Sequence, residues 1–200
     1  MKGSLIIVGF FVLGTICGVC HLLPFDIAET NISYYALCAL MFSVGLSVGN
    51  DPQTLKNFRS LNPRLVFLPM MTILGTLAGS AAVSLILTHR SITDCLAVGS
   101  GFGYYSLSSI FITEYKGAEL GTIALLANIS REILTLLAAP LLVRWFGNLA
   151  PISAGGATTM DTTLPIITRT AGQQFVVVSI FHGFVVDFSV PFLVTLFCSI

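Results

Sequence analysis

Residues 125–137 read LLANISREILTLL, and within this oily run Asn128, Ser130, Arg131 and Glu132 are groups that can bind, ionise or pass a proton. A charge at membrane depth is expensive, so a carboxylate there faces a cavity, faces a partner or is protonated. Glu132 lies near the centre of the apolar stretch 118–145, which makes it a candidate proton-coupling group on a transport path. The alternative is a buried Glu that hydrogen-bonds to another helix and only holds the bundle together. Asn128 comes four residues before Glu132 and Thr135 three after it, so the three share one helix face. Arg131 points about 100° away, a poor intrahelical partner, and reads as a substrate gate or as half of a structural ion pair. A second acid, Asp187, sits with His182 in SIFHGFVVDFSV. Asp187 is a second candidate coupling acid. His182 is a candidate proton relay, with a satisfied core histidine as the alternative. A metal site would need further ligands that the sequence does not offer.

Two segments offer chemistry of another kind. Residues 99–115, GSGFGYYSLSSIFITEY, and 152–171, ISAGGATTMDTTLPIITRTA, are dense in Gly, Ser, Thr and Pro. Helix ends and unwound backbone present unpaired N–H and C=O groups: a cation suits the carbonyls, a carboxylate suits the N–H groups, and an amino-acid zwitterion uses both. The candidate substrate-binding set is Gly101, Gly103, Tyr105, Ser106, Ser108, Thr159, Asp161 and Thr163, with ordinary interhelix packing as the alternative for each single hydroxyl. Gly101-x-Gly103 is not a nucleotide fingerprint, because no strand precedes it and no acidic ribose partner follows.

The elements that position these groups follow from composition. Of the 200 residues 55% are hydrophobic and only 9% charged, and the mean hydropathy of +0.94 is far above that of a soluble domain. The chain is therefore expected to be an all-α integral membrane protein surrounded by lipid. Zero net charge with no basic patch argues against nucleic-acid binding. Five cysteines, Cys17, Cys20, Cys38, Cys95 and Cys198, lie mostly in apolar runs and read as small buried side chains, not as a disulfide framework.

About five spans are expected, at 3–23, 32–49, 64–88, 118–145 and 173–198, each long enough to cross a hydrocarbon core of roughly 30 Å. The first apolar run is too long for a signal peptide and reads as a retained helix. The loop NDPQTLKNFRSLNPR carries Lys56, Arg59 and Arg64, whereas PFDIAETN carries Asp26 and Glu29 and no cation. By the positive-inside rule the former is cytoplasmic, which places Lys116 outside and the Arg144–Ala154 connection inside.

The two Gly/Ser/Thr-rich segments are expected to be re-entrant or broken, since irregular backbone at membrane depth must lie in protein or line a polar cavity. They resemble each other. Ile112-Thr113 aligns with Ile167-Thr168, Gly101 with Gly156 and Glu132 with Asp187, all at an offset of 55 residues. This predicts a duplicated unit of broken segment plus helix, inverted if each segment is a hairpin. The organisation is then a three-span bundle over 1–91 and a transport core over 92–200 with repeats at about 92–146 and 147–200. If both segments cross fully, the chain has seven crossings and the charge bias is weaker.

The runs SGFGYYSLSSIFITE, NISREI, GGATTMDTTLPIITRTAG and HGF together resemble the bacterial lysine exporter family of inner-membrane proteins, a match covering most of 36–200. The resemblance implies multi-pass residence in the inner membrane and export of L-lysine, with its toxic analogues, in exchange for protons and with no cofactor. Carried across the matching NISREI motif, the coupling role falls to Glu132. Full-length members are longer, with further N-terminal spans and an acidic site that this chain lacks. Asp51 is interfacial and does not simply replace it. That implies a small membrane subunit as partner, with a homodimer as the alternative. Export of another small amino acid or organic acid is the runner-up. An intramembrane hydrolase using Ser106 or Ser108 with His182 is disfavoured, because no nucleophile elbow or dyad spacing appears.

Overall fold

The computed structural model describes residues 63–87 and 89–200, together with 12–14, 16–20, 35, 39 and 42. The chain divides into two compact units, Met1–Gly49 and Asn50–Ile200. In the first, residues 12–14 and 16–19 are helical, and Val12, Leu13 and Val19 expose apolar side chains. Most of the expected span 32–49, Asp51 and the Lys56 loop lie outside the described residues.

The second unit is a helical assembly whose described elements are numbered here from the first long helix. A 3₁₀ turn, Pro63–Phe67, leads into α1 (Leu68–Ser84), followed by α2 (Ile92–Gly99), α3 (Tyr105–Lys116) and α4 (Ala118–Phe146). After them come α5 (Ala150–Gly155), a 3₁₀ turn Gly156–Met160, α6 (Leu164–Ala171) and α7 (Val176–Ser199). Leu65–Ser84, Ala118–Phe146 and Gln173–Ser199 are long and apolar enough to cross a membrane. They coincide with the last three of the five expected spans. The chain is an all-α membrane protein.

Local chemistry sets the boundaries. Ser91 caps α2 by accepting the Asp94 N–H at 3.0 Å. Pro151 and Pro165 occupy the first turns of α5 and α6, where a missing N–H costs nothing. Gly117 and Gly172, 55 residues apart, close α3 and α6 with φ of 93° and 113°, a backbone region that a side chain disfavours. Helix, break, helix, glycine, long helix is thus an order the chain runs through twice. The helices α2 and α3, at about 12 and 18 Å by helical rise, are each too short to cross a bilayer alone, and α5 and α6 are shorter still.

Polarity is distributed inside out relative to a soluble protein. Met71, Leu134, Leu137, Phe188 and Phe192 point outward, whereas Asn128, Glu132, Thr135, Thr159, His182 and Asp187 are buried. With lipid as solvent, apolar side chains gain nothing by facing inward, and polar groups have partners only there. The cysteines depart from expectation. Among the described thiols, all free, only Cys198 is buried, while Cys20 is exposed and Cys17 and Cys95 are partly covered. A thiol tolerates an apolar outer surface as well as an apolar core.

At one end, Ile152, Ile167, Ala171 and Val178 form an apolar plug that ties α5, α6 and α7 together, with Leu65 and Val143 packed against it. Nearer the middle, α7 runs against the 3₁₀ turn so closely that a Cβ on Gly183 would stand 2.7 Å from the Met160 backbone nitrogen. On α1, a Cβ on Gly75 would meet nothing within 4 Å. Gly183→Ala is therefore expected to lower stability by about 1–3 kcal/mol through overpacking. Gly75→Ala should be neutral or stabilising by up to about 1 kcal/mol through helix propensity. Thermal melting of the two variants in one detergent tests this, and equal melting temperatures would contradict the close approach.

Candidate functional site

The two breaks in the helical path meet each other. Phe102 follows α2 with φ of 46°, an uncommon conformation for a residue with a side chain, and is fully buried. Its carbonyl accepts the Ala157 N–H from the second break at 2.9 Å. Opposite it, Gly156 has φ of 64°, and a Cβ there would overlap the Phe102 carbonyl oxygen. Only a residue without a side chain lets the two backbones come this close.

Unwound backbone leaves orphan groups, and α4 supplies their partners. The Asn128 side chain accepts the Gly103 N–H through Oδ1 at 2.7 Å. Its Nδ2 donates to Val98 O at 3.2 Å and to Ala124 O at 2.9 Å. Gly101 lies so close beneath that a Cβ would collide with Asn128 and with Ser108. Asn128 thus fastens the first break to α4.

Arg131 does the same for the second. Its Nε donates to Ala154 O at 2.8 Å and its Nη2 to Ser153 O at 3.0 Å, while Nη1 reaches Thr76 Oγ1 on α1 at 3.4 Å. Its guanidinium carbon lies 5.9 Å from the centre of the Phe102 ring. A planar cation with several donors suits carbonyls at the C-terminal end of α5, where the helix dipole is negative. Sequence spacing left Arg131 between gate and ion pair. Its hydrogen-bond partners here are backbone carbonyls and a hydroxyl.

The second break is lined by threonines. Thr158 donates to Gly155 O at 2.9 Å and stands 3.2 Å from the Thr163 hydroxyl. Thr159 lies 2.8 Å from Gly156 O, 2.9 Å from Ser179 O and 3.2 Å from His182 Nδ1. Its single hydrogen goes to one of those carbonyls, so towards His182 it accepts, and Nδ1 carries the ring proton. In the neutral ring Nε2 then accepts from Thr72 on α1 at 2.9 Å. His182 is fully buried, and its hydrogen bonds tie α7 to the 3₁₀ turn and to α1. They go to threonines, not to Ser106 or Ser108. Ser108 gives its own hydroxyl to Tyr104 O at 2.8 Å, so no serine–histidine dyad is assembled.

The acids gather beside these breaks. Glu132 is only 1% exposed and lies on the α4 face shared with Asn128 and Thr135. Its charge acts on Tyr105 and Asp161, and that of Asp161 acts on Asp187. Asp161, exposed at the end of the 3₁₀ turn, is therefore the electrostatic link between the two buried carboxylates. Tyr105 is buried and Ser106 half-buried on the first turn of α3. Among the described residues no group of three or more His, Cys, Asp or Glu side chains could hold a metal ion.

The family model described as "Lysine exporter LysO" matches residues 8–198. The chain belongs to the LysO lysine exporter family. Within it, the chain is 36% identical over 196 residues to "Lysine exporter LysO" of Escherichia coli strain K12, a match covering 98% of this chain and 64% of that protein. It is 35% identical over 196 residues to a "Putative lysine exporter" of Haemophilus influenzae strain Rd, covering 98% of this chain and 96% of that one. The chain thus spans less than two thirds of the first relative and nearly all of the second. No solved structure matches it.

In this LysO-family chain the structure brings Asn128, Arg131, Gly101, Gly103 and Ser108 together as the fastening of the breaks, and Thr159, Thr163 and His182 as their buried lining. Glu132, Asp161 and Asp187 form one electrostatic neighbourhood. Sequence reading missed Phe102, whose strained backbone joins the breaks, and the α1 threonines Thr72 and Thr76. A bulky residue between two glycines was the available signal for Phe102; for the threonines there was none. Asn128→Ala strands the Gly103 N–H and one bond to Val98 O, and is expected to cost about 1–3 kcal/mol for each group left unsatisfied. Arg131→Lys should retain one carbonyl contact and lose less stability than Arg131→Met. Thermal unfolding in detergent reads both, and an Arg131→Met variant as stable as the parent would remove the fastening role.

Proposed function

We propose that this chain is the core of a secondary transporter that exports L-lysine, and lysine analogues, across the bacterial inner membrane in exchange for protons. The observation that carries this reading is the placing of a nearly inaccessible carboxylate, Glu132, beside two breaks whose backbone groups meet inside a membrane domain. A carboxylate pairs with an ammonium when ionised and releases it when protonated, so one group alternates between cargo and proton. Asp161 and Asp187 extend the acidic neighbourhood along which that proton travels. The family and the names of both relatives bring lysine to this chain as the cargo, and no observation favours a different amino acid or an organic acid.

The lengths of the relatives support a partner. One lysine exporter is half as long again as this chain and another is nearly the same length, so what the longer one carries in its extra third is supplied here by another polypeptide. The partner we favour is a small membrane subunit of about three spans bringing a further acid; a second copy of this chain is the alternative. In the membrane the Lys56 loop and the Arg144–Ala154 connection face the cytoplasm and Lys116 faces outward. That orientation makes the two repeats inverted.

Glu132→Gln keeps the shape and hydrogen bonding of the side chain but does not titrate. It is expected to abolish proton-coupled uptake of labelled lysine into inverted vesicles while leaving the amount of folded protein unchanged; Glu132→Asp should retain part of the flux. Parental flux in Glu132→Gln would sink the coupling role. For the assembly, the chain is purified in mild detergent alone and after co-expression with the neighbouring reading frame. Co-purification of a small subunit is expected, and a transport-active monomer of the chain alone would refute it.

A further inference from the structure

A cavity of about 820 Å³ lies between α1, α2 and α4, on the Arg131 side of α4 and apart from the acids. Leu120, Ile123, Ala127 and Arg131 line it along α4, a run of about 16 Å at the helical rise. Its walls are apolar, Val83, Leu87 and Val98 among them, and its two ends are not. Asn128 and Arg131 stand at one end, and Arg90 and Asp94 at the other. The shape suits a molecule with an alkyl middle and a charged tip.

The end at Asp94 is already occupied by chemistry of that kind. Lys116, from the end of α3, holds its Nζ 3.8 Å from Asp94 Oδ1, and Arg90 pairs with Glu119 beside it. Lys116 is itself a butylammonium group. At 3.8 Å, and with both side chains about a quarter exposed, the pair is loose, and an exposed ion pair of this length holds its partners weakly. Replacing its ammonium by another of the same kind is then close to balanced.

We propose that Asp94 is an ammonium-binding station at the mouth of this cavity, and that Lys116 is its resident counter-ion, displaced by the side-chain ammonium of the transported lysine. The inference rests on the lysine-export reading. An extended lysine spans roughly 8 Å between its carboxylate carbon and Nζ by standard bond lengths, about half the run from mouth to Arg131. Asp94 is thus a separate stop on the path, and its neighbour Glu119 keeps Arg90 from taking the place of Lys116. The apolar walls then hold the methylene chain while the ammonium moves on.

Cys95 follows Asp94 and lines the same cavity, so it reports on the station directly. In full-length chain with Cys17, Cys20, Cys38 and Cys198 replaced by alanine, in membrane vesicles with any co-expressed subunit, its modification by a methanethiosulfonate reagent is followed. Lysine and butylamine should both slow labelling, and norleucine, which lacks the second amine, should not. Lys116→Met should speed labelling and lower the half-protecting concentration of butylamine. Asp94→Asn should raise that concentration about tenfold, as expected for loss of a charge-assisted contact, and the double variant should behave as Asp94→Asn. The α2 cap is spared in that variant, because Ser91 is bonded to the Asp94 backbone and not to its side chain. Protection by norleucine equal to that by butylamine, or no response to Asp94→Asn, overturns the station. Lysine flux in the same vesicles is measured separately: its absence, with butylamine protection intact, would remove lysine as the cargo while leaving the ammonium site in place.

Discussion

Everything in the second unit depends on one constraint: backbone N–H and C=O groups set free by two interrupted helices must find partners where water does not reach. Hydrocarbon offers none, and each unsatisfied group costs several kcal/mol. The protein meets this demand in two ways. The breaks bond to each other, through the Phe102 carbonyl and the Ala157 N–H, and both bond to the side chains of one continuous helix. Asn128 and Arg131, less than one turn apart on α4, hold groups from the first and second break respectively.

The glycines follow from the same demand. Polar side chains bond to backbone only if the backbones approach closely, and a Cβ on Gly101, Gly156 or Gly183 would stand where an Asn128 atom, the Phe102 carbonyl or the Met160 nitrogen already is. The threonines add a second layer. Their hydroxyls satisfy carbonyls of the turn while presenting an oxygen to His182, so the histidine is fixed by hydrogen bonds to two different elements. The region beside Glu132 is thereby rigid in its walls although it is built from broken helix.

Much of this architecture was legible in the sequence because it follows from cost. An acid in the middle of an apolar stretch must face inward, and Glu132 does. Gly, Ser and Thr crowded between long apolar runs must break the helix, and both segments do. The offset of 55 residues was visible in Gly101, Glu132 and their counterparts, and it returns in the paired glycines that end α3 and α6. Contacts were not legible. Periodicity gave the direction of Arg131 around the α4 axis but not what lay in that direction, so a residue that binds carbonyls 22 and 23 positions away was read as a gate or an ion pair. For His182 the distance is greater still: Thr72 is 110 residues earlier, and nothing local to either residue encodes their meeting. The cavity walled by α1, α2 and α4 is invisible for the same reason, being defined by what three separate helices leave empty.

Arg131 carries one more consequence, which concerns ancestry. At the repeat offset its counterpart is Val186, and that of Asn128 is Gly183, so the second long helix retains an acid at Asp187 but neither fastening side chain. The two copies have divided their labour: α4 serves both interruptions, and α7 has given up its polar grip for close packing. Two identical halves would each have had to hold their own interruption, and the descendants no longer can. Duplication gave this chain its symmetry, and the later loss of redundancy made its halves mutually indispensable.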